Sequence, residues 1–324
     1  MTAYSDGHER FWQRPRGEGP LGAGNKGAPI CVPLAEHRWH FQQGPIDLII
    51  DVDADDEARE HSLSVCWDNF QQVLPALVGE LPLLRRPAVE RSVLWGPVAR
   101  RMMNACGPFA DERFITPMAA VAGAVADELI GAFKRSGVRR ASINNGGDIA
   151  LHLGSQASYR VGIWSQLERL GHADRGADLD GFFVVDRSMP VRGVATSGWR
   201  GRSFSLGIAD SVTILAHNAA AADAAATLVA NAVNCNFDGI VRSSAEQLKD
   251  DTDLGNLLVT VDVPRLPTTA IAEALSRGRT EAQYWRDRGL IYAAAMYLQG
   301  MVEIVLPVAG LADPARRLIE AAVT

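Results

Sequence analysis

The pattern of apolar and polar positions predicts alternating strands and helices along most of the 324-residue chain. Short apolar runs around a Gly-Pro turn in residues 37–51 predict a β-hairpin. A helix is expected next, over residues 56–74. Residues 116–134 begin with Thr and Pro and continue with small and apolar residues at helical spacing, which predicts a second, closely packed helix.

Strand patterns dominate the middle of the chain. The strings RRASIN, NGGDIAL and YRVGIW predict three strands of a meander, with glycines between them. Further strands are expected at 181–185, 190–196, 203–206 and 211–216. The Ala-rich run NAAAADAAATLVANAV then predicts a helix, and the last part predicts helices at 268–276 and 279–298 with a strand near 302–306. The fold class is therefore α+β, with mostly antiparallel sheets and packed helices.

The composition is that of an ordinary globular protein, with 47% hydrophobic and 22% charged residues. The net charge of −6 provides no basic surface for a phosphate backbone, which argues against a nucleic-acid partner. The cysteines are scattered without zinc-ligand spacing, so free buried thiols are expected. Residues 1–30 are expected to form a flexible tail, and residues 31–324 a single domain.

No membrane segment is predicted, and the chain is expected to be cytoplasmic. The N-terminal residues carry charges, glycines and prolines in place of the apolar core of a secretory signal. The apolar stretch 290–312 contains Gln299, Glu303 and Pro307, which favours a buried helix followed by a strand over a membrane span. Within it, residues 291–306 could also bury a homo-oligomer interface.

Two further polar features have simple structural explanations. An acidic cluster could bind a cation, but an N-capping turn before the helix at residue 56 is the preferred interpretation of Asp51, Asp53, Asp55 and Asp56. His172 lies in the polar string HADRGADLDG, where exposure to solvent explains it.

The first candidate site is the string NNGGDI. Gly146 and Gly147 can adopt backbone dihedrals closed to other residues and leave main-chain amides uncovered, so that phosphate or carboxylate oxygens can approach. Asp148 would then lie at the rim of the site. A tight turn between two strands is the alternative explanation, and the motif alone favours it.

The string GVATSGWRGRS adds a second glycine-punctuated turn. Its hydroxyls belong to Thr196 and Ser197, and the cations Arg200 and Arg202 suit an anionic ligand. Ser197 could be a nucleophile, but no Ser/His/Asp order accompanies it, and His217 is the only histidine in the stretch that follows. A turn hydroxyl is therefore the preferred interpretation of Ser197.

The helical run ADAAATLVANAV carries the most specific pattern. Asp223 and Thr227 are four residues apart and so lie one turn above the other on one helix face. Carboxylate and hydroxyl oxygens suit Mg²⁺ or Ca²⁺, and Mg²⁺ often completes its shell with waters and ligand phosphates. Asn231 and Asn234 extend this polar edge. A buried Asp in an Ala-rich helix needs a partner, and hydrogen bonds from a neighbouring loop are the alternative to a metal.

The order of these motifs resembles the ApbE superfamily. The resemblance covers roughly residues 110–235 and rests on a small-residue helix containing Asp127, followed by NNGGDI, GVATSG and ADAAAT. In ApbE-type flavin transferases, a magnesium-dependent enzyme takes FAD and attaches its FMN moiety to a Thr or Ser of a target protein. The resemblance implies an ApbE-like fold, with Mg²⁺ and FAD or FMN as cofactors.

The same resemblance assigns roles to individual residues. It implies that Asp223 and Thr227 ligate magnesium, with a backbone carbonyl near Val121 completing the protein ligands. The expected residues of the flavin nucleotide pocket are Asn145, Gly146 and Gly147, with Asp148 and Gly198 as further cofactor-binding positions in the two turns.

The chain departs from the transferases at two points. They carry a His-x-x-Asp-Pro segment between the Thr-Ser-Gly turn and the metal helix, and its histidine is linked to flavin transfer. This chain has SFSLGIADSVTILA there, in which only Asp210 could act as an acid or base. The usual Lys beside the early helix glycine is Ala122 here. The strings TPMAAVAGAVADE and GVATSGWRGRSFSLGIADSVT more closely resemble a cytoplasmic branch of the superfamily that has no assigned reaction.

Three functions are compatible with these residues. The leading hypothesis is a metal-assisted cytoplasmic enzyme that acts on a flavin nucleotide or another small phosphorylated or cyclic substrate, with Asp210 for acid/base chemistry and Ser197 as hydroxyl donor. The second is a metal-independent amide or ester hydrolase in which Thr196 and Ser197 perform the chemistry. The third is a non-catalytic flavin-binding protein.

Overall fold

The computed structural model describes residues 27–34, 37–163 and 181–308. Most of the expected N-terminal tail and the string around His172 lie outside these residues. The strands are β1 (Ile30–Pro33), β2 (Arg38–Gln43), β3 (Ile46–Ala54), β4 (Val138–Asn145), β5 (Asp148–Leu153), β6 (Ser158–Ile163), β7 (Gly181–Asp186), β8 (Gly193–Ser197), β9 (Ser211–Ala216), β10 (Val241–Ser244), β11 (Leu258–Asp262), β12 (Ala293–Leu298) and β13 (Met301–Val305). The helices are α1 (Asp56–Leu84), α2 (Pro97–Ala110), α3 (Val121–Leu129), α4 (Ala219–Ala232), α5 (Ala245–Leu248) and α6 (Thr268–Asp287).

One large antiparallel sheet organises the described part of the chain. Its order is β1-β2-β3-β4-β5-β8-β9-β12-β13, while β6 pairs with β7 and β10 with β11 in separate two-stranded sheets. The hairpin predicted over residues 37–51 is β2 and β3. In β3 every second residue is buried, which is the period of a strand with one face on the core. The predicted α+β class with mostly antiparallel pairing is confirmed.

The two faces of the large sheet have different coverings. The main core joins one face to the helices and includes Phe41, Ile50, Phe70, Met102 and Trp285. A smaller core lies on the other face, where β6 and β7 pack against β5, β9 and β12. Strands β9 and β12 are buried at all six positions because both of their faces are covered.

The predicted meander is correct for its first two strands, β4 and β5, which pair with each other, and wrong for the third. One other predicted strand is also wrong. Strand β6 leaves the large sheet, and β8 takes the place beside β5. Residues 203–206 form a loop and not a strand, because the backbone of this segment makes hydrogen bonds that belong to no strand pairing. The amide of Leu206 donates to the Asn231 side chain at 2.8 Å, and the carbonyl of Ser205 accepts from Thr260 at 2.8 Å.

The predicted C-terminal helices are also wrong in their bounds. A single helix, α6, replaces the two, and residues expected to continue a helix to 298 form β12, between β9 and β13. The apolar stretch after residue 290 is thus a strand pair and not a buried helix followed by a strand. Residues 291–298 are buried within the chain itself, so their apolar character needs no subunit interface. An oligomer stays a prediction.

The segment 116–134 is not one continuous helix. It consists of a 3₁₀ turn at Pro117–Ala120, the nine-residue α3, and a second 3₁₀ turn at Ile130–Phe133. The side chain of Thr116 does not cap it, because its hydroxyl donates to the carboxylate of Asp253. The regular helix α3 begins only at Val121, after the first 3₁₀ turn. The first helix, α1, begins at residue 56 as predicted but continues to Leu84, past Pro75 and Pro82.

The cysteines are free thiols, and Cys66, Cys106 and Cys235 are buried as expected. The acidic cluster pairs with arginines, since Asp53 and Asp55 both bind Arg139, and the side chain of Asp55 makes no capping hydrogen bond to α1. None of the helices in the described ranges has both the length and the apolar character needed to cross a membrane.

Candidate functional site

Two of the sequence motifs meet at one backbone peptide, that between Ala122 and Gly123. The amide of Gly123 donates to Oδ2 of Asp223 at 3.0 Å. The side-chain amide of Asn145 donates to the carbonyl of Ala122 at 3.1 Å. The start of α3 is thus hydrogen-bonded on one side to α4, through Asp223, and on the other side to the Gly-Gly turn, through Asn145.

Close packing of α3 against α4 depends on small residues. A Cβ atom added at Gly123 would lie 2.3 Å from the carbonyl oxygen of Ala219, the first residue of α4. On the opposite side, a Cβ added at Gly193 in β8 would lie 2.0 Å from the carbonyl carbon of Asn218. The start of α4 is therefore enclosed between α3 and β8, which accounts for the small residues in the helix predicted over 116–134.

The N-terminus of α4 is capped by two side chains. Asn218 Oδ1 accepts from the amide of Ala221 at 2.8 Å. The buried carboxylate of Asp127 accepts from the amides of Ala219 at 3.0 Å and Ala220 at 2.8 Å. Burial raises the pKa of Asp127, and these two hydrogen bonds oppose the rise. The cap fixes α4 so that Asp223, one turn further, faces the start of α3.

The Gly-Gly turn is a two-residue hairpin loop. Asn145 and Asp148 are paired, and Gly146 and Gly147 have φ angles of 67° and 116°, the positive values that primed hairpin turns require. The amide of Gly147 donates to Asn144 Oδ1 at 2.8 Å. The tight-turn interpretation is therefore correct for the backbone.

The Gly-Gly turn adjoins the Thr-Ser-Gly turn. The carboxylate of Asp148 accepts from the amide of Thr196 at 3.2 Å, which ties the end of one motif to the middle of the other. Nη1 of Arg202 lies 3.8 Å from the point that a Cβ at Gly146 would occupy. The structure thus brings together the three motifs that the sequence singled out.

Asp148 and Asp223 influence each other electrostatically. Burial raises the pKa of Asp148 to about 7. Burial also raises the pKa of Asp223 well above its ordinary value, and the charge of Asp148 adds to the rise. Neither carboxylate pairs with a cationic side chain in the part of the chain that the structure describes. Such a pair of carboxylates needs either protons or a bound cation.

Oxygen donors for a cation lie along one face of α4. Asp223 and Thr227 lie one turn apart in the helix, as predicted, and both are half-buried among otherwise buried residues. Within the described residues, the Thr227 hydroxyl makes no hydrogen bond to the protein. Further along the face, Asn231 and Asn234 bind the backbone of the 205–206 loop, so these amides have a structural role.

This donor set fits Mg²⁺. A carboxylate, a hydroxyl and a backbone carbonyl are hard oxygen ligands, and a divalent ion could replace the protons that Asp148 and Asp223 otherwise need. The described residues contain no group of three or more His, Cys, Asp or Glu side chains that could hold a metal, so a site here depends on the mixed set. The carbonyl near Val121 stays a prediction.

The backbone of Asp210 packs closely against the Thr-Ser-Gly turn at Gly198. A Cβ at Gly198 would lie 2.3 Å from the Asp210 carbonyl oxygen, so this position needs glycine. Asp210 Oδ2 accepts from the backbone amide of Gln299 at 2.6 Å, and its Oδ1 lies 3.7 Å from Arg200 Nε. The hydroxyls of Thr196 and Thr213 are 3.0 Å apart. Asp210 thus has a structural role, and its acid/base role stays a prediction.

Sequence reasoning missed several polar contacts around the site. The cap of α4 by Asp127 and the hydrogen bond from Asn145 to Ala122 join residues distant in the chain, and no residue spacing indicates them. The contact between Thr116 and Asp253 brings the loop after α5 to the segment that precedes α3. An acidic string, KDDTD, was the only sequence signal for that loop.

Comparison with known proteins gives matches over most of the chain. The family model described as AbpE bacteria matches residues 31–304. A UPF0280 protein of Methanosphaerula palustris is 36% identical over 157 residues, which cover 47% of this chain and 61% of the relative. One of Methanothermobacter thermautotrophicus is 36% identical over 157 residues, or 48% and 56%. The matched stretch thus spans less than two thirds of these relatives.

Solved structures show a more distant likeness. A flavin transferase ApbE from Vibrio cholerae, with a histidine replaced by glycine, is 10% identical with a TM-score of 0.41, covering 86% of this chain and 96% of that one. An ApbE protein from Thermotoga maritima is 14% identical with a TM-score of 0.35, covering 85% and 96%. The family match spans all three motifs of the site, and the resemblance found in the sequence is confirmed: the chain belongs to the AbpE bacteria family of ApbE-like proteins.

Proposed function

We propose that this chain binds a flavin nucleotide together with Mg²⁺ and acts on it as a metal-assisted enzyme. The observation that carries the proposal is the hold on the Ala122–Gly123 peptide by Asp223 and Asn145. Through it, helix α4, which carries Asp223 and Thr227, and the Gly-Gly turn contact the same peptide, beside a second carboxylate, Asp148. A pocket for a cation and a phosphorylated ligand needs both parts in contact.

The residues of the site have separable roles in this proposal. Asp223 and Thr227 would hold Mg²⁺, which supplies a Lewis acid for a phosphate oxygen of the ligand. The Gly-Gly turn, lacking side chains, allows the ligand to approach the backbone closely. Asp148 holds the amide of Thr196 and so fixes the turn that presents the Ser197 hydroxyl.

Proton transfer is assigned to Asp210 and Ser197. Asp210 Oδ2 is bound to the Gln299 amide, while Oδ1 faces Arg200 and remains the oxygen that can exchange a proton. Ser197 is half-buried at the end of β8 and is the hydroxyl donor of the turn.

A binding experiment with FAD tests the metal-nucleotide function. Flavin fluorescence is titrated with the full chain, with Mg²⁺ and after treatment with EDTA, for the native protein, Asp223→Asn and Thr227→Val. We expect saturable binding that requires Mg²⁺ and weakens at least about tenfold in both variants, since each loses a direct ligand. Asp111→Asn, which alters an exposed ion pair with Arg91, is the control. Equal affinity in Asp223→Asn and the native protein contradicts the proposal.

The same preparation separates the two alternatives. Ester or amide hydrolysis that survives EDTA but is lost in Ser197→Ala would support the hydrolase, although no hydrogen bond links Ser197 to a histidine among the described residues. FAD recovered unchanged after prolonged incubation with Mg²⁺ and hydroxyl acceptors would support a flavin-binding protein without catalysis. Conversion of FAD that depends on Asp223 supports the enzyme.

A further inference from the structure

We propose that Arg202 and the Gly146–Gly147 loop form an anion subsite that binds a phosphate group of the ligand. The inference rests on the proposed function, because it places that phosphate beside the cation site of the same pocket. It assigns the anion-binding role to Arg202 and not to Arg200, the other arginine of the turn.

The position of Arg202 suits contact with a ligand that lies on the glycine loop. Its Nη1 is 3.8 Å from the point where a Cβ of Gly146 would be, so the guanidinium reaches the surface of the loop. A Cβ added at Gly147 would meet no atom within 4 Å, which leaves open space beside the second glycine. A phosphate in that space would contact the guanidinium on one side and a backbone without side chains on the other.

Arg200 and Arg202 differ in the contacts that their guanidinium groups make with the rest of the protein. Arg200 lies 3.7 Å from the carboxylate of Asp210, and its guanidinium stands 4.8 Å from the ring centre of Trp199. Arg202 makes no ion pair and no hydrogen bond with any residue that the structure describes. Its planar fork of donors is therefore available, and this fork matches two phosphate oxygens at once.

Charge balance explains why the subsite needs a cation beyond Mg²⁺. Asp148 and Asp223 place two carboxylates near the pocket, and these repel a phosphate when ionised. A divalent ion on Asp223 and Thr227 would offset the charge of the two carboxylates and bind one phosphate oxygen, which leaves the remaining negative charge of the phosphate without a partner. Arg202 supplies the excess positive charge, on the side of the pocket formed by the glycine loop.

Phosphate-dependent binding tests the subsite. The probes are FMN and riboflavin, which differ only in the phosphate, and both are titrated with Mg²⁺ present against the native chain, Arg202→Ala and Arg202→Lys. We expect Arg202→Ala to weaken FMN binding by about 10- to 100-fold and to leave riboflavin unchanged, the range for a hydrogen bond to a charged group. Arg202→Lys should recover part of the loss. Arg277→Ala, which removes an exposed helix ion pair, is the matched control.

The outcomes separate this subsite from the flavin function. FMN affinity unchanged in Arg202→Ala, while Asp223→Asn abolishes binding, overturns the subsite and leaves the proposed function intact. An equal loss for FMN and riboflavin also overturns it, because the side chain would then act on the pocket and not on the phosphate. If neither flavin binds the native chain, ADP with Mg²⁺ is the probe. ADP binding that is lost in Arg202→Ala supports the subsite without the flavin, and binding that is retained overturns it.

Discussion

The carboxylate of Asp223 in α4 accepts a hydrogen bond from the backbone amide of Gly123 at 3.0 Å, across 100 positions of sequence. The carbonyl of the preceding residue, Ala122, binds the side chain of Asn145. One peptide group thus fixes the relative positions of α3, α4 and the Gly-Gly turn. The geometry of the candidate site is set by regular elements that pack through their backbones, and it should respond to substitutions that separate those backbones.

Replacing Gly123 by Ala is expected to destabilise the fold strongly. The new Cβ would lie 2.3 Å from the carbonyl oxygen of Ala219, and backbone at the capped start of α4 cannot move easily. We expect a loss of about 3 kcal/mol in the free energy of unfolding, measured by urea denaturation. Gly79→Ala in the interior of α1, where a Cβ meets nothing within 4 Å, should gain about 0.5–1 kcal/mol. Similar effects of the two substitutions would refute the close-packing explanation.

Removing the Asp127 carboxylate is expected to destabilise the fold at the start of α4. Asp127→Ala leaves the amides of Ala219 and Ala220 buried without acceptors, which should cost about 2–3 kcal/mol of unfolding free energy. Asp127→Asn keeps one acceptor and should cost about half as much. Asn218→Ala removes a single hydrogen bond and serves as the reference. A loss in Asp127→Ala no larger than that in Asn218→Ala contradicts this account.

Elements with a clear period were predictable from the sequence. The hairpin β2–β3 alternates buried and half-buried residues, and the Ala-rich run forms α4 with Asp223 and Thr227 on one face. Strand β12 was mistaken for helix because its residues, AAAMYL, are all buried and carry no period, while Ala and Leu favour helices. The loop at 203–206 was mistaken for a strand because SFSL alternates polar and apolar residues.

The contacts that assemble the site could not be predicted from residue types. The hydrogen bonds from Thr196 to Asp148 and from Asn145 to Ala122 each involve a backbone group, and every residue has such groups. Sequence spacing therefore identified the polar motifs but not their partners. The resemblance to a family implied a flavin nucleotide pocket and magnesium ligands, and the fold shows which atoms bring these motifs together.

The hydrogen bond from Asn145 to the Ala122 carbonyl is expected to increase the affinity of the site for Mg²⁺. Asn145→Leu removes the donor to the carbonyl at the start of α3, which should destabilise the fold by about 1 kcal/mol and loosen the backbone near the predicted carbonyl ligand. We expect Mg²⁺ to bind several-fold more weakly, measured by the rise of the melting temperature on Mg²⁺ titration. Asn144→Ala releases the Gly147 amide but leaves Ala122 held, so it controls for loosening of the turn. Identical Mg²⁺ affinity in the two variants would count against the role of Asn145.

Without Mg²⁺, the stability of the fold is expected to depend on pH through Asp148. Burial raises the pKa of Asp148 from 3.8 to about 7 in the folded chain. Between these values the folded state binds more protons than the unfolded state, so the contribution of Asp148 to stability is fully present below the lower value and is lost as the pH rises through the upper one. The unfolding free energy should therefore fall by up to about 1.4 kcal/mol per pH unit over this window from Asp148 alone.

The pH effect is measured as a difference between two proteins. Urea denaturation in EDTA at about pH 5 and about pH 8 should show a steeper loss of stability in the native chain than in Asp148→Asn, which cannot ionise. Added Mg²⁺ should oppose the loss in the native chain and stabilise it more at the higher pH, because the ion competes with protons for the ionised carboxylates. The pKa of Asp223 is raised in the same direction, so some slope should remain in Asp148→Asn. Equal slopes in the two proteins would show that Asp148 is ionised at both pH values and would remove the electrostatic argument for a cation between the carboxylates.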